Sequence, residues 1–528
     1  MHSNRVTDAR GASATYSYNS RHLVTGITYS TPDSTSIPLP SDVSYSYDSV
    51  GNRISMSDST GSTSYIYDTQ SRLRSETRQF SGVSGSFTLT YDYNLSGELK
   101  KITDPFGQTV GYNYDSIGRA IEVTGTGWPN VTQFASNIQY RAWGAPKGMT
   151  YGNSTTLSIG YDASLRLQSF QLTSPTQSGP VTVVSNDYTY EPDGNLRSSH
   201  DYLNDLLDRA FAYDQMGRMR EAYSGADARY YLTGIHYGDP GPFRQTYQHD
   251  VWGNMTSREN RYWSQSDYFN VQYDSHNRRQ AANGQGPDPN WHYDAEGNVL
   301  QNPDMQFTYD SAGHNLKVQS SDNTQAIAEA FDGDSQVVKR TGQGDVTYYL
   351  RSSVLGGQVI ADINYQGQKM MGYVYLGDEV IARHEYNMGT GESAVLWVHD
   401  NPVTGARGFS SQYGNYEAEI EPDPMGINMG YSDPFVDPNP PGTPTEQGNG
   451  SLLAGFAVPD GRCALNGIAF DCAEAAHLMD TGAATVEYLI HDKNGFRHEQ
   501  GAIVPFGLGL SAWSTLTSSQ ITRAAPRS

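Results

Sequence analysis

The run Tyr47-Asp48-Ser49-Val50-Gly51-Asn52-Arg53-Ile54 decides the fold, because the chain repeats its pattern many times. In each copy a Tyr-Asp pair is followed by Gly, then by Arg or Asn and usually an apolar residue. Further close copies are Tyr114-Asp115-Ser116-Ile117-Gly118-Arg119, Tyr213-Asp214-Gln215-Met216-Gly217-Arg218-Met219 and Tyr293-Asp294-Ala295-Glu296-Gly297-Asn298-Val299. Looser copies begin at Tyr18, Tyr67, Tyr93, Tyr140, Tyr161, Tyr190, His249, Tyr273, Tyr309 and Phe331. This self-similarity predicts one supersecondary unit stacked many times.

The composition supports an all-β protein with many turns. Of 528 residues, 17% are charged and 36% are hydrophobic, and the chain contains 54 Gly and 38 Tyr. This is too aromatic for a disordered chain and too rich in Gly and Tyr for a helical one. The formal charge of −22 disfavours nucleic acid and anionic membranes as partners. No run of 18 apolar residues is present, so we expect no membrane span.

Each copy of the pattern predicts a β-hairpin. Residues on both sides of the Tyr-Asp turn alternate between polar and apolar, as in Val43-Ser44-Tyr45-Ser46-Tyr47. The Asp is expected to accept hydrogen bonds from N–H groups of its own turn, and the Gly to close the loop. The Tyr hydroxyl is expected to reach water, and the Arg after the Gly to form an exposed pair of little value with the Asp. Successive hairpins predict one long antiparallel sheet, which at this length must twist and curl.

The repeated Tyr-Asp-x-x-Gly-Arg/Asn pattern resembles that of the YD-repeat (Rhs) family. The family includes Rhs and wall-associated proteins, the shell of Tc toxins and the teneurins. Nine literal Tyr-Asp dipeptides carry the resemblance, which covers roughly residues 1–430. It implies a hollow, spiralling β-shell that encapsulates or displays a C-terminal polypeptide, here the chain's own C-terminal segment as cargo.

We divide the chain by this resemblance and by composition. Residues 1–347 are expected to form the hairpin array, and residues 348–430 resemble the Rhs-associated core that closes such shells. Residues 431–450 are a Pro/Gly-rich linker, and residues 451–528 are a variable C-terminal region of mixed structure. The first residues resemble the tail of a preceding repeat, so we expect the chain to begin inside an array.

The stretch Asp423-Pro424-Met425-Gly426 is the candidate for chemistry. The resemblance implies self-cleavage near such an Asp-Pro-x-Gly motif, with aspartates as catalysts. Asp423, Pro424 and Gly426 would belong to the motif, and Asp400 or Glu421 would supply a second carboxylate, because one acid protonates the leaving amine while the other activates the attacking group. The alternative that we favour is a Pro/Gly turn that ends the shell. The chain lacks the Leu that usually follows this Gly in the family.

Cys463 and Cys472 are the two cysteines of the chain, and they flank Asn466-Gly467, a strong hairpin turn. We expect a disulfide between them, which would place maturation outside the cytoplasm. The alternatives are buried thiols and, less favoured, a nucleophilic cysteine near His477.

No sequence pattern calls for a cofactor or a metal, because the histidines are scattered and no zinc or phosphate-loop motif is present. The chain is therefore interpreted as a structural shell of a secreted or cell-surface protein. A self-cleaving toxin precursor is the first alternative, with aspartate-dependent autoproteolysis as its one enzymatic activity. A carbohydrate-binding surface protein is the second, suggested by the density of Tyr and Trp.

Overall fold

The computed structural model describes residues 4–32, 36–235, 237–281, 284, 286–342 and 344–429, with the backbone alone of four short strands after residue 461. The predicted linker at 431–450 lies outside the described residues, as does most of the region 451–528. Nearly all of the described elements are β-strands, so the predicted all-β class is confirmed.

The first sheet contains 22 strands, which follow one another along the chain. Its first half consists of β1 (Arg5–Thr7), β2 (Ser13–Tyr18), β3 (Val24–Ser30), β4 (Val43–Tyr47), β5 (Arg53–Asp58), β6 (Gly61–Tyr67), β7 (Leu73–Phe80), β8 (Phe87–Tyr93), β9 (Leu99–Thr103), β10 (Thr109–Tyr114) and β11 (Ala120–Trp128). Its second half consists of β12 (Val131–Tyr140), β13 (Pro146–Tyr151), β14 (Thr156–Tyr161), β15 (Leu167–Ser174), β16 (Val181–Tyr190), β17 (Leu196–Asp201), β18 (Arg209–Tyr213), β19 (Met219–Ser224), β20 (Pro240–His249), β21 (Met255–Tyr262) and β22 (Gln265–Asn270). A short 3-10 turn (Asp205–Leu207) and one helix, α1 (Gly225–Thr233), interrupt this second half.

The second sheet contains 13 strands. They are β23 (His292–Tyr293), β24 (Val299–Gln301), β25 (Met305–Tyr309), β26 (Asn315–Ser320), β27 (Ala326–Phe331), β28 (Val337–Thr341), β29 (Val346–Ser352), β30 (Gln358–Asn364), β31 (Lys369–Leu376), β32 (Glu379–Tyr386), β33 (Ser393–Asp400), β34 (Arg407–Ser410) and β35 (Tyr416–Ile420). The backbone of two further hairpins is described, formed by β36 (Arg462–Leu465), β37 (Ile468–Asp471), β38 (Leu489–His491) and β39 (Arg497–Glu499).

The chain divides into two compact units, each built from an early and a late stretch of sequence. Unit 1 contains residues 1–130 and 272–380, and unit 2 contains residues 131–271 and 381–528. In unit 1 a buried cluster joins Val43, Met56 and Tyr65. In unit 2, Ile159, Phe170 and Tyr188 form one such cluster, and a second surrounds Phe243. These residues lie on one face of their strands, as the period-two alternation predicts.

The Asp of each close copy organises its own turn, as predicted. The Asp115 Oδ1 accepts the backbone N–H groups of Ile117 (3.0 Å) and Arg119 (2.9 Å), and its Oδ2 accepts the Arg119 Nε–H at 2.8 Å. The Asp115 N–H donates to the Arg119 carbonyl, and the Gly118 N–H donates to the Asp115 carbonyl. Together these bonds lower the pKa of Asp115, the Arg119 backbone N–H most of all. Turns with the same Asp-to-backbone bonds occur at Asp48, Asp214 and Asp294, where Gly51, Gly217 and Gly297 donate to the Asp carbonyl.

The predicted role of the Tyr hydroxyl was wrong. It donates to a backbone carbonyl of the preceding hairpin instead of reaching water, for example from Tyr47 to Val24 O (2.7 Å) and from Tyr114 to Leu99 O (2.7 Å). Tyr67, Tyr93, Tyr161, Tyr190 and Tyr213 make the same bond. At Tyr293 the hydroxyl instead accepts the Arg279 N–H. In the seven copies with the carbonyl bond, the Tyr thus ties one hairpin to a strand of the hairpin before it.

The Arg that follows the Gly also does more than form an exposed pair. Arg218 binds the Asp214 Oδ2 through Nε (2.7 Å) and donates through Nη1 to the Asp250 carbonyl of the next turn (2.6 Å). The equivalent bonds from Arg72 and Arg166 reach Asn94 O and Glu191 O. The Arg therefore links neighbouring turns within a unit.

Two glycines provide a matched test of the close strand packing in unit 1. Gly61 and Gly97 both have positive φ (137° and 101°), so Ala at either position is strained by about 1–2 kcal/mol. A Cβ at Gly61 would also lie 1.9 Å from the backbone oxygen of Gln79, whereas a Cβ at Gly97 meets nothing within 4 Å. We therefore expect Gly61→Ala to lower the free energy of unfolding by about 3–5 kcal/mol and Gly97→Ala by about 1–2 kcal/mol. Equal losses in urea unfolding would contradict the packing at Gly61.

Candidate functional site

The candidate motif Asp423-Pro424-Met425-Gly426 forms another copy of the repeat turn. The Asp423 N–H donates to the Ile427 carbonyl (2.8 Å), and the Gly426 N–H donates to the Asp423 carbonyl (3.0 Å). The Asp423 Oδ1 accepts the N–H groups of Met425 and Ile427, both at 2.8 Å. Gly426 has the positive φ (85°) that this turn requires. The turn follows β35 after Glu421 and Pro422, and an antiparallel bridge between Pro422 and Asn428 closes it, so Asp423 occupies the position of the Asp in a repeat turn.

The Asp423 turn differs from the exposed copies in what its second carboxylate oxygen binds. Four residues after the Asp, Ile427 replaces the usual Arg or Asn and has no side-chain donor. The Gln245 Nε2 of β20 donates to the Asp423 Oδ2 instead, at 2.6 Å. The Asp423 side chain is buried, with 3% exposure, and this burial raises its pKa. Burial therefore reverses the direction of the pKa shift seen in the exposed turns, such as that of Asp115.

Gln245 connects Asp423 to further buried polar groups of unit 2. Its Oε1 accepts the hydroxyl of Tyr247, and burial raises the pKa of that hydroxyl. Arg258 is 2% exposed and pairs with Asp267 at 3.2 Å. Burial lowers the pKa of Arg258, while the negative charges of Asp267 and Asp423 act in the opposite direction. Asp423, Gln245 and Tyr247 thus form a buried hydrogen-bonded chain, and the charge of Asp423 also acts on the buried guanidinium of Arg258.

The two other predicted carboxylates occupy different surroundings. Glu421 is buried and forms an ion pair with Arg209, which also donates to the Thr404 carbonyl. Asp400 forms a two-point ion pair with Arg407 across β33 and β34, at 2.6 and 2.8 Å. Glu421 therefore lies two residues from Asp423 with its charge paired, whereas the described contacts of Asp400 are with Arg407.

A buried acidic cluster beside the motif was not predicted from the sequence. Glu419 and Glu385 share Arg383, whose Nη1 lies 3.4 Å from the Glu419 Oε1 and whose Nε lies 2.5 Å from the Glu385 Oε1. Burial raises the pKa of Glu419 to about 7, against the attraction of Arg383. The Asn428 Nδ2 donates to the Glu419 carbonyl, and the Asn428 Oδ1 accepts the Glu421 N–H. Asn428 thus fastens the chain after the turn to the strand before it.

The chain leaves this turn through a buried anchor at Met429. The Met429 side chain belongs to the cluster around Phe211, Phe243 and Tyr247. Its carbonyl accepts the Trp263 Nε1–H at 2.7 Å, and its N–H donates to the Glu421 carbonyl at 2.9 Å. The starting point of everything that follows residue 429 is therefore held by side-chain packing and by two hydrogen bonds.

The predicted disulfide cannot be placed, because Cys472 lies outside the described residues. The backbone of β36 and β37 pairs Cys463 with Phe470. The pairing of the two cysteines stays a prediction. Among the described residues, no cluster of His, Cys, Asp and Glu could hold a metal ion. No helix of the described part is long and apolar enough to cross a membrane.

A known family of repeat proteins matches the first part of the chain, where the Asp-centred turn recurs. Residues 1–141 match the family model described as Teneurin YD-shell. Residues 1–141 are thus similar to a YD shell. No curated protein is significantly similar in sequence.

Several solved structures share the fold of this chain. The crystal structure of TcdB2-TccC3 is 16% identical, with a TM-score of 0.64, and the match covers 80% of this chain and 24% of that one. A Tc holotoxin pore of Photorhabdus luminescens is 14% identical, with a TM-score of 0.63, over 80% of this chain and 23% of that one. TcdB2-TccC3 without its hypervariable C-terminal region is 13% identical, with a TM-score of 0.57, over 98% and 24% of the two chains. This chain thus spans about a quarter of the length of these structures, and the likeness concerns the fold.

The raised pKa of Glu419 predicts that the free energy of unfolding falls as the pH rises. Because its pKa is about 7 when folded and its ordinary value is 4.5, the folded protein holds a proton here that the unfolded chain releases. The stability that this proton contributes is present below about pH 4.5 and is lost as the pH rises to about 7. Between pH 4 and pH 7.5, Glu419→Gln should therefore gain roughly 3 kcal/mol in free energy of unfolding relative to the unchanged chain. Parallel pH profiles in urea unfolding would contradict a titrating Glu419.

Proposed function

We propose that this chain is a structural piece of a YD-repeat shell that holds or displays the polypeptide following Met429. The anchor at Met429 carries the proposal: Trp263, Glu421 and the Phe243 cluster hold this residue near the end of the core-like segment. A polypeptide attached to a fixed point searches a small volume, which raises its effective concentration at the shell. The boundaries 1–347 for the array and 348–430 for the closing segment remain part of this proposal.

The anchor can be tested by weakening one bond. Trp263→Phe removes the indole N–H that binds the Met429 carbonyl while it keeps an aromatic ring in the site. We expect limited proteolysis to cut the chain after residue 429 several times faster, with unchanged cutting elsewhere. Trp252→Phe is the matched control, because the Trp252 side chain is 80% exposed in a turn. If the two variants are cut equally fast after residue 429, the anchor does not restrain the following segment.

A second proposal is self-cleavage beside the Asp423 turn. Burial raises the pKa of Asp423, which suits a carboxylic acid that gives a proton to a leaving amine. Glu421 lies two residues away, and it would take a proton from the water that attacks the peptide carbonyl. The peptide C–N bond breaks, and the water supplies the new carboxyl and amine ends. The three hydrogen bonds that Asp423 accepts suit equally the structural turn that we favoured from the sequence.

Intact mass after denaturation distinguishes a processed chain from a static one. Self-cleavage predicts two fragments that divide close to residue 426, and a single species for Asp423→Asn, whose amide cannot give up a proton as an acid does. Asp115→Asn in an exposed turn is the control and should still yield two fragments. A single full-length species from the unchanged chain would leave the structural turn as the role of Asp423.

We also place the parent protein outside the cytoplasm, at the cell surface or in a secreted particle. The expected pairing of Cys463 with Cys472 supports this location, because disulfides persist in oxidising compartments. Alkylation of denatured protein made in the periplasm should find two fewer free thiols than in reduced protein. Two reactive thiols would remove this support.

A further inference from the structure

A buried lysine of unit 1 contacts both a carboxylate and a carboxamide. Lys369 begins β31, and its Nζ donates to the Asp104 Oδ2 at 2.6 Å and to the Gln108 Oε1. Both acceptors belong to the turn between β9 and β10, and Gln108 is 261 residues away from Lys369 in the sequence. The three residues are only 4–8% exposed. An amine, an acid and an amide thus meet where bulk water is excluded.

The turn at Asp104 is a copy of the repeat turn with different side-chain partners. The Asp104 Oδ1 accepts the backbone N–H groups of Phe106 (2.9 Å) and Gln108 (2.8 Å), as the Asp of an exposed copy does. Gln108 occupies the position of the Arg or Asn that binds the second carboxylate oxygen in those copies, but here Lys369 binds that oxygen. The Gln108 Nε2 donates to the Gly127 carbonyl at 3.3 Å. The carboxamide is therefore held with its carbonyl oxygen toward the amine.

Two aromatic rings and a close backbone shield this amine from water. The Lys369 Nζ lies 5.0 Å from the centre of the Trp128 ring and 5.3 Å from that of the Phe106 ring. A Cβ at Gly372 would lie 2.5 Å from the Lys369 Cε, so the side chain packs directly on β31. Burial lowers the pKa of Lys369, whereas the charge of Asp104 acts in the opposite direction. Burial thus favours the neutral amine, which is the nucleophilic form.

We infer that Lys369 and Gln108 form an intramolecular isopeptide bond, with Asp104 as the group that transfers the protons. Asp104 first takes a proton from the Lys369 ammonium. The neutral Nζ then attacks the Gln108 Cδ, which is bonded to the Oε1 that the Nζ contacts. The fixed contact replaces a bimolecular encounter, and it requires neither an oxidant nor a second substrate.

The reaction releases one molecule of ammonia. A bond forms between the Lys369 Nζ and the Gln108 Cδ, and the bond between that Cδ and the Gln108 Nε2 breaks. Asp104 gives its proton to the leaving nitrogen and takes one from the attacking nitrogen, so it ends as the carboxylic acid. The product is a secondary amide that joins the turn before β10 to β31.

A small cavity beside the three residues has room for the leaving group. Its volume is about 20 Å³, and Asp104, Gln108 and Lys369 line it together with Leu355 and Ile360. About 10–15 Å³ on this scale is enough for one water, and ammonia is of similar size. All of these residues belong to unit 1, so the inference is independent of the anchor and of the self-cleavage proposed for residues of unit 2.

Mass spectrometry of the full 528-residue chain, denatured and then digested with trypsin, tests the bond. We expect the chain to be lighter than its calculated mass by one ammonia molecule. Trypsin should yield one branched peptide in which residues 102–119 are joined to residues 352–383, because an acylated Lys369 is not cut. If the chain also cleaves itself near residue 426, the fragment before the cut still contains both partners, so the two reactions are read separately.

Two variants each remove one reacting group. Lys369→Arg keeps the positive charge without the amine. Asp104→Asn keeps an acceptor for the turn, as Asn94 is in its own turn, but cannot transfer a proton as an acid does. Both variants should have the calculated mass and give separate peptides. Lys101→Arg is the matched control, because exposed Lys101 pairs with Asp92 at 2.7 Å, and it should keep the branched peptide.

Three results would overturn the inference. One is the calculated mass with separate peptides from the unchanged chain, because Lys369 and Gln108 would then be joined by a hydrogen bond alone. Another is a branched peptide that persists in Asp104→Asn, because Asp104 would then not transfer the protons. The last is the loss of water instead of ammonia, because the bond would then join Lys369 to Asp104.

Discussion

The structure depends on one interaction, the acceptance of a turn's own backbone N–H groups by the carboxylate of its Asp. Without a side-chain acceptor, the N–H groups at the tip of a tight five-residue loop would find no partner in the ladder of the sheet. In the exposed copies the second oxygen of the same carboxylate binds the Arg or Asn that ends the loop. That Arg then reaches the next turn. The carboxylate thereby orients an Arg side chain that connects its own hairpin to the next one.

The same turn acquires a different environment at the end of the closing segment. Asp423 accepts the same two backbone bonds as the exposed copies, but its second oxygen binds Gln245 instead of an Arg. Its side chain is buried in unit 2, whereas the side chain of Asp115, for example, is partly exposed. The physical consequence is that the pKa of the turn Asp shifts in the opposite direction. Hydrogen bonds lower the pKa of an exposed turn Asp, whereas burial raises that of Asp423. The Asp423 turn thus lies beside Glu421 and the anchor at Met429, where the self-cleavage that we propose would need a proton-donating group.

The sequence predicted the hairpins, the Asp-centred turns and the similarity to YD shells, because these depend on residues four or five apart that recur many times. It did not predict where the Tyr hydroxyl bonds, since the carbonyl that accepts from Tyr47 lies 23 residues earlier. Gln245 was missed for the same reason, because 178 residues separate it from Asp423. The Glu419 cluster was missed because acidic residues on a strand look solvent-exposed until the partner strands are known. The spacing of residues along the sequence predicts bonds within a turn, whereas bonds between residues far apart in sequence depend on tertiary packing.

The most direct test of the central role of this turn is hydrogen exchange on Asp214→Ala. The substitution removes the acceptor of the Met216 and Arg218 N–H groups and the carboxylate that orients the Arg218 side chain. We predict lost protection at those two amides and weaker protection in the next turn, around Asp250, while the turn at Asp162 keeps its protection. Unchanged exchange around Asp250, or an equal loss in every turn of unit 2, would contradict the account.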